Sequence, residues 1–169
     1  MNLKKTVGAF VLTALFASMG ASAVEKTITV TASVDPTLDL LQSNGDALPT
    51  SVALEYSPAE KKFKRYTLNT AVHTNAADKG VVVRLAGEAK LTNVMDSSDN
   101  IPIDVSWAGQ TLSTSDTTVA ADDLDFGATG VSGVSASQEL VIHAKVDSNK
   151  LPNAGNYQGV VTIVLTQST

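Results

Sequence analysis

The sequence predicts an all-β sandwich. Three observations carry that expectation. Apolar residues recur with period 2 in run after run, which is the repeat of a strand with one buried face. Gly, Asn, Asp, Ser and Pro separate those runs at short intervals. After residue 23 no long segment carries the 3.6-residue period of a helix. Short strands with frequent turn signals are the pattern of two packed sheets.

The first 23 residues are read as an address. Lys4 and Lys5 supply a positive start, residues 7–19 are apolar and Ala21-Ser22-Ala23 is a small-residue cleavage site. Cleavage is expected between Ala23 and Val24, leaving 169 − 23 = 146 residues. The apolar stretch is too short to span a bilayer, and nothing later approaches ~20 apolar residues. Residues 24–169 suit one domain with a core. They are divided here into an extension, 24–41, and a folded domain, 42–169.

Of 12 Lys and Arg, two leave with the address, so 10 face 17 Asp and Glu for a net charge of −7. An acidic surface repels phosphate backbones, which argues against a nucleic-acid partner. The chain has no cysteine. That excludes disulfide staples, zinc–thiolate sites and a cysteine nucleophile.

Residues 24–41 organise the rest. Ile28, Val30, Ala32, Val34, Pro36, Leu38 and Leu40 hold the even positions, while every odd position from Glu25 to Asp39 is polar. Branching at Cβ in Val, Ile and Thr favours extended backbone. A typical strand has about 5–6 residues. This register runs about twice that, which suits a strand lent to another molecule.

The elements then follow in order. Residues 42–46 are a turn cluster, and Val52, Leu54 and Tyr56 alternate in a short strand broken at Pro58. Tyr66, Leu68, Thr70, Val72 and Thr74 form the next strand. Residues 75–80 connect it to an apolar strand over 81–85. Residues 91–95 suit either a strand or a helical turn. Ile101, Ile103, Val105 and Trp107 share a face, and Ala108-Gly109 reverses the chain into a hairpin. A further strand is expected within 119–126, then a Gly/Ser-rich loop over 127–137. Leu140, Ile142, Ala144 and Val146 alternate, and a loop with Pro152 and Gly155 leads to the last strand. There Tyr157, Gly159, Val161, Ile163 and Leu165 lie on one face.

Little here suggests catalysis. His73 and His143 are the only histidines, and no G-x-S-x-G elbow accompanies them. Asp96, Asp99, Asp122, Asp123 and Asp125 lack the spacing of a calcium loop and read as solvated acidic loops. Trp107 shares its face with Ile101, Ile103 and Val105, so core packing is preferred to a sugar-stacking platform. Lys61, Lys62, Lys64 and Arg65 form the one basic cluster and read as a solvated loop. No metal or cofactor is expected.

Two blocks carry a resemblance. Residues 24–36 read Val-Glu-Lys-Thr-Ile-Thr-Val-Thr-Ala-Ser-Val-Asp-Pro, and residues 154–161 read Ala-Gly-Asn-Tyr-Gln-Gly-Val-Val. The second resembles the C-terminal strand of fimbrial pilins assembled by a chaperone and an usher. The first resembles the major pilins of the class 5 colonisation-factor fimbriae of enteric bacteria, and the lack of cysteine fits. The resemblance implies an immunoglobulin-like sandwich lacking one strand, completed by donor-strand exchange. It implies the shaft subunit of an adhesive surface fimbria, exported through the periplasm, with no enzymatic activity. Its implied partners are copies of itself, a periplasmic chaperone, an outer-membrane usher and a tip adhesin, with host-cell glycans as a further candidate. The donor residues map onto Ile28, Val30, Ala32 and Val34. Tyr157, Gly159, Val161, Ile163 and Leu165 map onto one wall of the acceptor groove. The rival reading is a glycan-binding adhesin or a minor pilin on the same fold; a tip adhesin with an added receptor domain needs a much longer chain.

Pro36 stands in the inward register but has no N–H to give a ladder. Two readings stay open: it ends the donor strand, or it is a hinge where the chain leaves its neighbour and enters its own domain. An X-Pro bond separates its isomers by only ~0.5–1 kcal/mol. As a hinge, Pro36→Ala leaves the melting of a donor-complemented monomer nearly unchanged and alters the force needed to extend a fibre. Coinciding force–extension curves for mutant and parent fibres reduce Pro36 to a strand terminator.

Overall fold

A computed structural model describes residues 29–34, 37–127, 132–147 and 150–169. The expected address, its cleavage site at Ala23 and Val24, donor residue Ile28, and Pro36 lie outside the described residues. The chain divides into two units, Met1–Ser33 and Val34–Thr169. In the first, residues 29–33 carry no strand or helix.

The second unit is the sandwich. Its strands are β1 (Leu38–Gln42), β2 (Tyr56–Ser57), β3 (Lys62–Phe63), β4 (Tyr66–Thr74), β5 (Val81–Leu85) and β6 (Lys90–Asn93). They continue with β7 (Asn100–Trp107), β8 (Gln110–Leu112), β9 (Thr117–Val119), β10 (Gln138–Ala144), β11 (Tyr157–Gln158) and β12 (Ile163–Gln167). One sheet runs β1-β4-β10-β7-β6-β11, with β8 paired to β7. The other runs β12-β5-β9, and β2 and β3 form a small hairpin. Every pairing among the named strands is antiparallel.

Period 2 decides which residues make the core. In β7, Ile101, Ile103, Val105 and Trp107 are buried, while Pro102 and Asp104 between them are exposed. Val81, Val83 and Leu85 of β5 do the same from the facing sheet. Val72, Leu112, Val119, Leu124 and Leu140 fill the space between them. Trp107 is a core residue, as its register predicts. Its indole N–H donates to Thr70 Oγ1 at 2.9 Å, so neither buried polar group is left unpaired. An orphaned buried donor costs about 1–3 kcal/mol. A second, smaller cluster gathers Phe63, Ile101 and Ala144 with Leu54, Tyr56 and Tyr157 around them.

Three elements differ from expectation. Residues 91–95 resolve as strand β6, which ends at Asn93. The strand expected within 119–126 is instead β9 followed by one helical turn, α1 (Ala121–Leu124). The turn swings Leu124 and Phe126 into the core from a chain that has run out of ladder partner beyond Val119. Asp125 closes it in the left-handed region, with its N–H on the Ala121 carbonyl. The expected strand over 157–165 is divided in two. Tyr157 and Gln158 pair with Asn93 and Thr92, whereas Ile163 to Gln167 pair with Leu85 to Val81. The partner chain spends two more residues than β11–β12 over the same interval, a bulge at residues 86–89 between β5 and β6.

Residues 38–41, the end of the expected extension, belong to β1. They pair with β4, and Leu40 is buried in the domain's own core.

Candidate functional site: an open edge and the cleft beside it

The two sheets meet unequally. Ile163 and Leu165 of β12 stand opposite buried partners, Leu85 and Val83. Both point at the main core, as does Val161, yet all three are only half-buried. Position along the strand does not explain the difference, because the registers match. What differs is the neighbour: among the described residues, β5 lies between β12 and β9, whereas β12 has β5 alone. An unpaired edge with apolar side chains on its inner face is an incomplete sandwich and an invitation to another strand.

Opposite that edge runs the N-terminal part of the domain. β1 is the outermost strand of the large sheet, and its Cα atoms come within 8 Å of β12. One end of the gap is tied shut by Gln167. Its side-chain oxygen accepts from Thr74 Oγ1 at 3.0 Å, and its Nε2 donates to the Gly80 carbonyl at 3.0 Å. We call this end the base. It holds Thr37, the 75–80 loop and the end of β12; the Thr37 N–H donates to Asn75 Oδ1 at 2.9 Å.

At the other pole, beside residues 152–160 that precede β12 in the chain, lies a cleft of about 1210 Å³. Residues 52–54 and Tyr56 line one side and residues 152–160 the other, with Phe63, Leu91 and Val94 completing it. Its lining includes Val52, Val94 and Val160, which are exposed although large and apolar. We call this pole the mouth.

The Ala-Gly-x-Tyr-x-Gly block builds the wall of the cleft, and its glycines have a steric cause. A Cβ on Gly159 would collide with the Lys90 carbonyl oxygen, and one on Gly155 would stand 2.8 Å from Asn93 Nδ2. Both glycines let residues 155–159 lie flat against β6. Tyr157 then reaches inward. Its hydroxyl donates to Asp99 Oδ2, and its oxygen also lies 3.0 Å from the Asn153 carbonyl oxygen. Asn93 Nδ2 is 3.4 Å from the same carboxylate oxygen, and Lys150 Nζ is 3.9 Å from Asp99 Oδ1. Asp99 and Asn93 are both buried. The Tyr157 hydrogen bond is the main cause that holds the Asp99 carboxyl below its usual range, against desolvation. Burial, followed by the bond to Asp99, pushes the Tyr157 phenol up.

The expected donor residues fare as follows. Val30, Ala32 and Val34 are all exposed, Val30 at 86% and Val34 at 81%. The expected groove residues fall on two sheets. Tyr157 and Gly159 line the cleft beside β6, whereas Ile163 and Leu165 lie in β12 and, with Val161 before them, pack against the main core. Two contributors are not evident from sequence. Gln167 is one register step beyond Leu165, a polar residue in an inward position. Asp99 sits in sequence among solvated acidic loops, but burial and its partners make it a structural carboxylate. The other candidates stay apart. Lys62 and Lys64 are exposed on the β2–β3 hairpin beside Glu60 and Glu55. Among the described residues, no group of three or more His, Asp or Glu side chains converges to hold a metal ion.

Comparison with known proteins agrees on one family. The profile described as "CS1 type fimbrial major subunit" matches residues 24–166. A CS1 fimbrial subunit of Escherichia coli is 57% identical over 172 residues, covering 100% of both chains. A CFA/I fimbrial subunit of Escherichia coli is 54% identical over 167 residues, covering 98% of each. Among solved structures, the CooA pilin subunit from enterotoxigenic Escherichia coli matches with a TM-score of 0.73 and 50% identity, over 79% of this chain and 88% of that one. A chain from a chaperone–tip adhesin complex of CFA/I fimbriae shares the fold, with a TM-score of 0.53 and 20% identity over 78% of this chain and 42% of that one.

The buried carboxylate yields a pH prediction. Because the folded state lowers the Asp99 pKa, its contribution is present above the unfolded value of about 3.9 and is lost as pH falls through the folded value. Asp99→Asn therefore melts at a lower temperature than the parent at pH 7, and the gap narrows as pH falls below about 4. Melting curves of the two proteins from pH 7 to pH 2 check it; a constant gap assigns the acid response to other groups.

Proposed function

This chain belongs to the CS1 type fimbrial major subunit family, and from that premise we propose that it polymerises by lending residues 28–34 to the open edge of β12 in a second copy. The fold is the immunoglobulin-like pilin fold. Subunits of this family are exported and assembled on the cell surface as fimbriae, and this one is a structural subunit of the shaft. Members of the family are structural fimbrial subunits, and no enzymatic activity is assigned to this one.

The observation that carries the donor-strand reading is the contrast across one register. Val83 and Leu85 are buried, while Leu165 and Ile163 opposite them are half-buried for want of a neighbour on the outer edge of β12. An extended segment added there completes both the ladder and the core, which is β-strand addition. Residues 28–34 have the right pattern: Ile28, Val30, Ala32 and Val34 alternate with polar residues in sequence, and Val30 and Val34 are exposed. Burying a Val or Ile side chain is worth roughly 1.5–3 kcal/mol. Ile28, Val30 and Val34 together contribute on the order of 5–9 kcal/mol before hydrogen bonds. That is comparable with the whole stability of a typical domain, ~5–15 kcal/mol.

The two poles support a head-to-tail polymer. The extension leaves its own domain at the base, through Thr37. The gap is tied at the base and wide at the mouth. An extension leaving one base therefore enters the next mouth, running antiparallel to β12. Such a contact does not close on itself and yields a filament. Before assembly a periplasmic chaperone covers the same edge, the usher exchanges it for the next extension, and the finished shaft carries a tip adhesin. Only residues 35–37 join the lent segment to β1, so Pro36 falls at the joint between subunits, as strand terminator or hinge.

Val30→Asp or Val34→Asp places a charge where the donor strand meets the core, at a cost of several kcal/mol. Either variant should reach the periplasm and fail to form fibres. Electron microscopy of the cell surface reads the outcome; normal fibres from both variants would sink the assignment of residues 28–34 as the donor.

A further inference from the structure

Most of the exposed large apolar side chains among the described residues fall in two places. Val30 and Val34 belong to the extension, Val52, Val94 and Val160 line the cleft, and Leu151 lines a separate pocket. Met95 follows Val94 in the turn after β6 and is 89% exposed, the highest value among the large apolar residues. Val94 itself is 57% exposed, and its N–H is fixed on the Asn156 carbonyl at 2.8 Å. Neither residue packs into the domain core, and neither is needed to floor the groove along β12. They form an apolar lip at the mouth.

We propose that the Val94–Met95 lip is a body-to-body contact between successive subunits, covered by the base of the copy whose extension fills the adjoining groove. The inference rests on the donor-strand reading given above and adds a second surface to it. Chain length selects the occupant. Once Val34 lies at the mouth, four steps of chain bring Leu38, the first residue of that copy's own β1. Four residues reach at most roughly 14 Å. The donor's base, which carries Thr37 and the 75–79 loop, must therefore abut the acceptor's mouth. Continuity supports the same occupant, since Val94 lines the cleft and Met95 adjoins it on the rim. Met suits such a contact: its unbranched, polarisable side chain adapts to an irregular partner surface. In the fibre the lip would limit how freely each subunit swings about the joint at residues 35–37.

The test uses fibres of the full chain. The sequence has no cysteine, so Met95→Cys supplies a unique thiol. Fibres labelled there with a thiol-reactive photo-crosslinker should, after irradiation, boiling and mass-spectrometric mapping, show cross-links from residue 95 to residues 37 or 75–79 of another copy. The Met95→Asp variant should still assemble, with a persistence length at least twofold shorter than the parent's, while Met95→Leu fibres match the parent. Cross-links that stay within one copy or map elsewhere overturn the proposal. So does a Met95→Asp variant with parental stiffness. Failure of the donor-strand reading is distinguishable, because it shows as normal fibres from Val30→Asp, whatever the lip does.

Discussion

The structure depends on one unsatisfied edge. A strand inside a sandwich gains a ladder on both sides and burial on its inner face. Among the described residues, β12 has the ladder only on the β5 side. The result is legible residue by residue, in side chains that point at the core and are nevertheless half-exposed beside partners that are buried. A cysteine-free domain of this size has no covalent device to offset that deficit. The remaining solution is a strand from outside, and residues 28–34 are the donor proposed for it. Assembly and completion of the fold are then the same event, which explains why a subunit meant to polymerise is built short of a strand.

Much of this is readable in the sequence. Period 2 identifies β4, β7, β10 and part of the last strand and places Trp107 in the core, while the continuous apolar run over 81–85 marks β5. Of the alternating stretch 24–41, residues 38–41 are found in a strand, β1. What escapes has common causes. The alternation of residues 24–41 runs on through Leu38 and Leu40, so periodicity gives no sign that the domain's own β1 starts at Leu38. Alternation likewise hides the break between β11 and β12, because the bulge that causes it lies in the partner strand at residues 86–89. α1 is a single turn, too short to show a 3.6-residue period. Asp99 looks like its exposed neighbours, since only tertiary contact with Tyr157 and Asn93 distinguishes a buried carboxylate from a solvated one.

Polar residues shape the apolar gap. At the base, Gln167 occupies an inward position and commits its amide to Thr74 and the Gly80 carbonyl. At the mouth, Asp99 and Asn93 receive Tyr157 and fix the wall to β6. The gap is therefore held in shape at both ends. A preshaped acceptor loses little entropy on binding, so more of the burial energy of the incoming strand appears as stability of the fibre. In the proposed polymer, an exit at the base and an entrance at the mouth give the fibre its direction without any further element.

On the donor-strand proposal, residues 157–167 acquire a second strand neighbour on assembly. Hydrogen exchange of that segment, followed by mass spectrometry in the isolated subunit and in intact fibres, addresses it directly. The outer-edge amides of β12, open in the subunit, should become protected in the fibre, while the buried β5 segment over residues 81–85 changes far less. Equal exchange of residues 157–167 in subunit and fibre would contradict it.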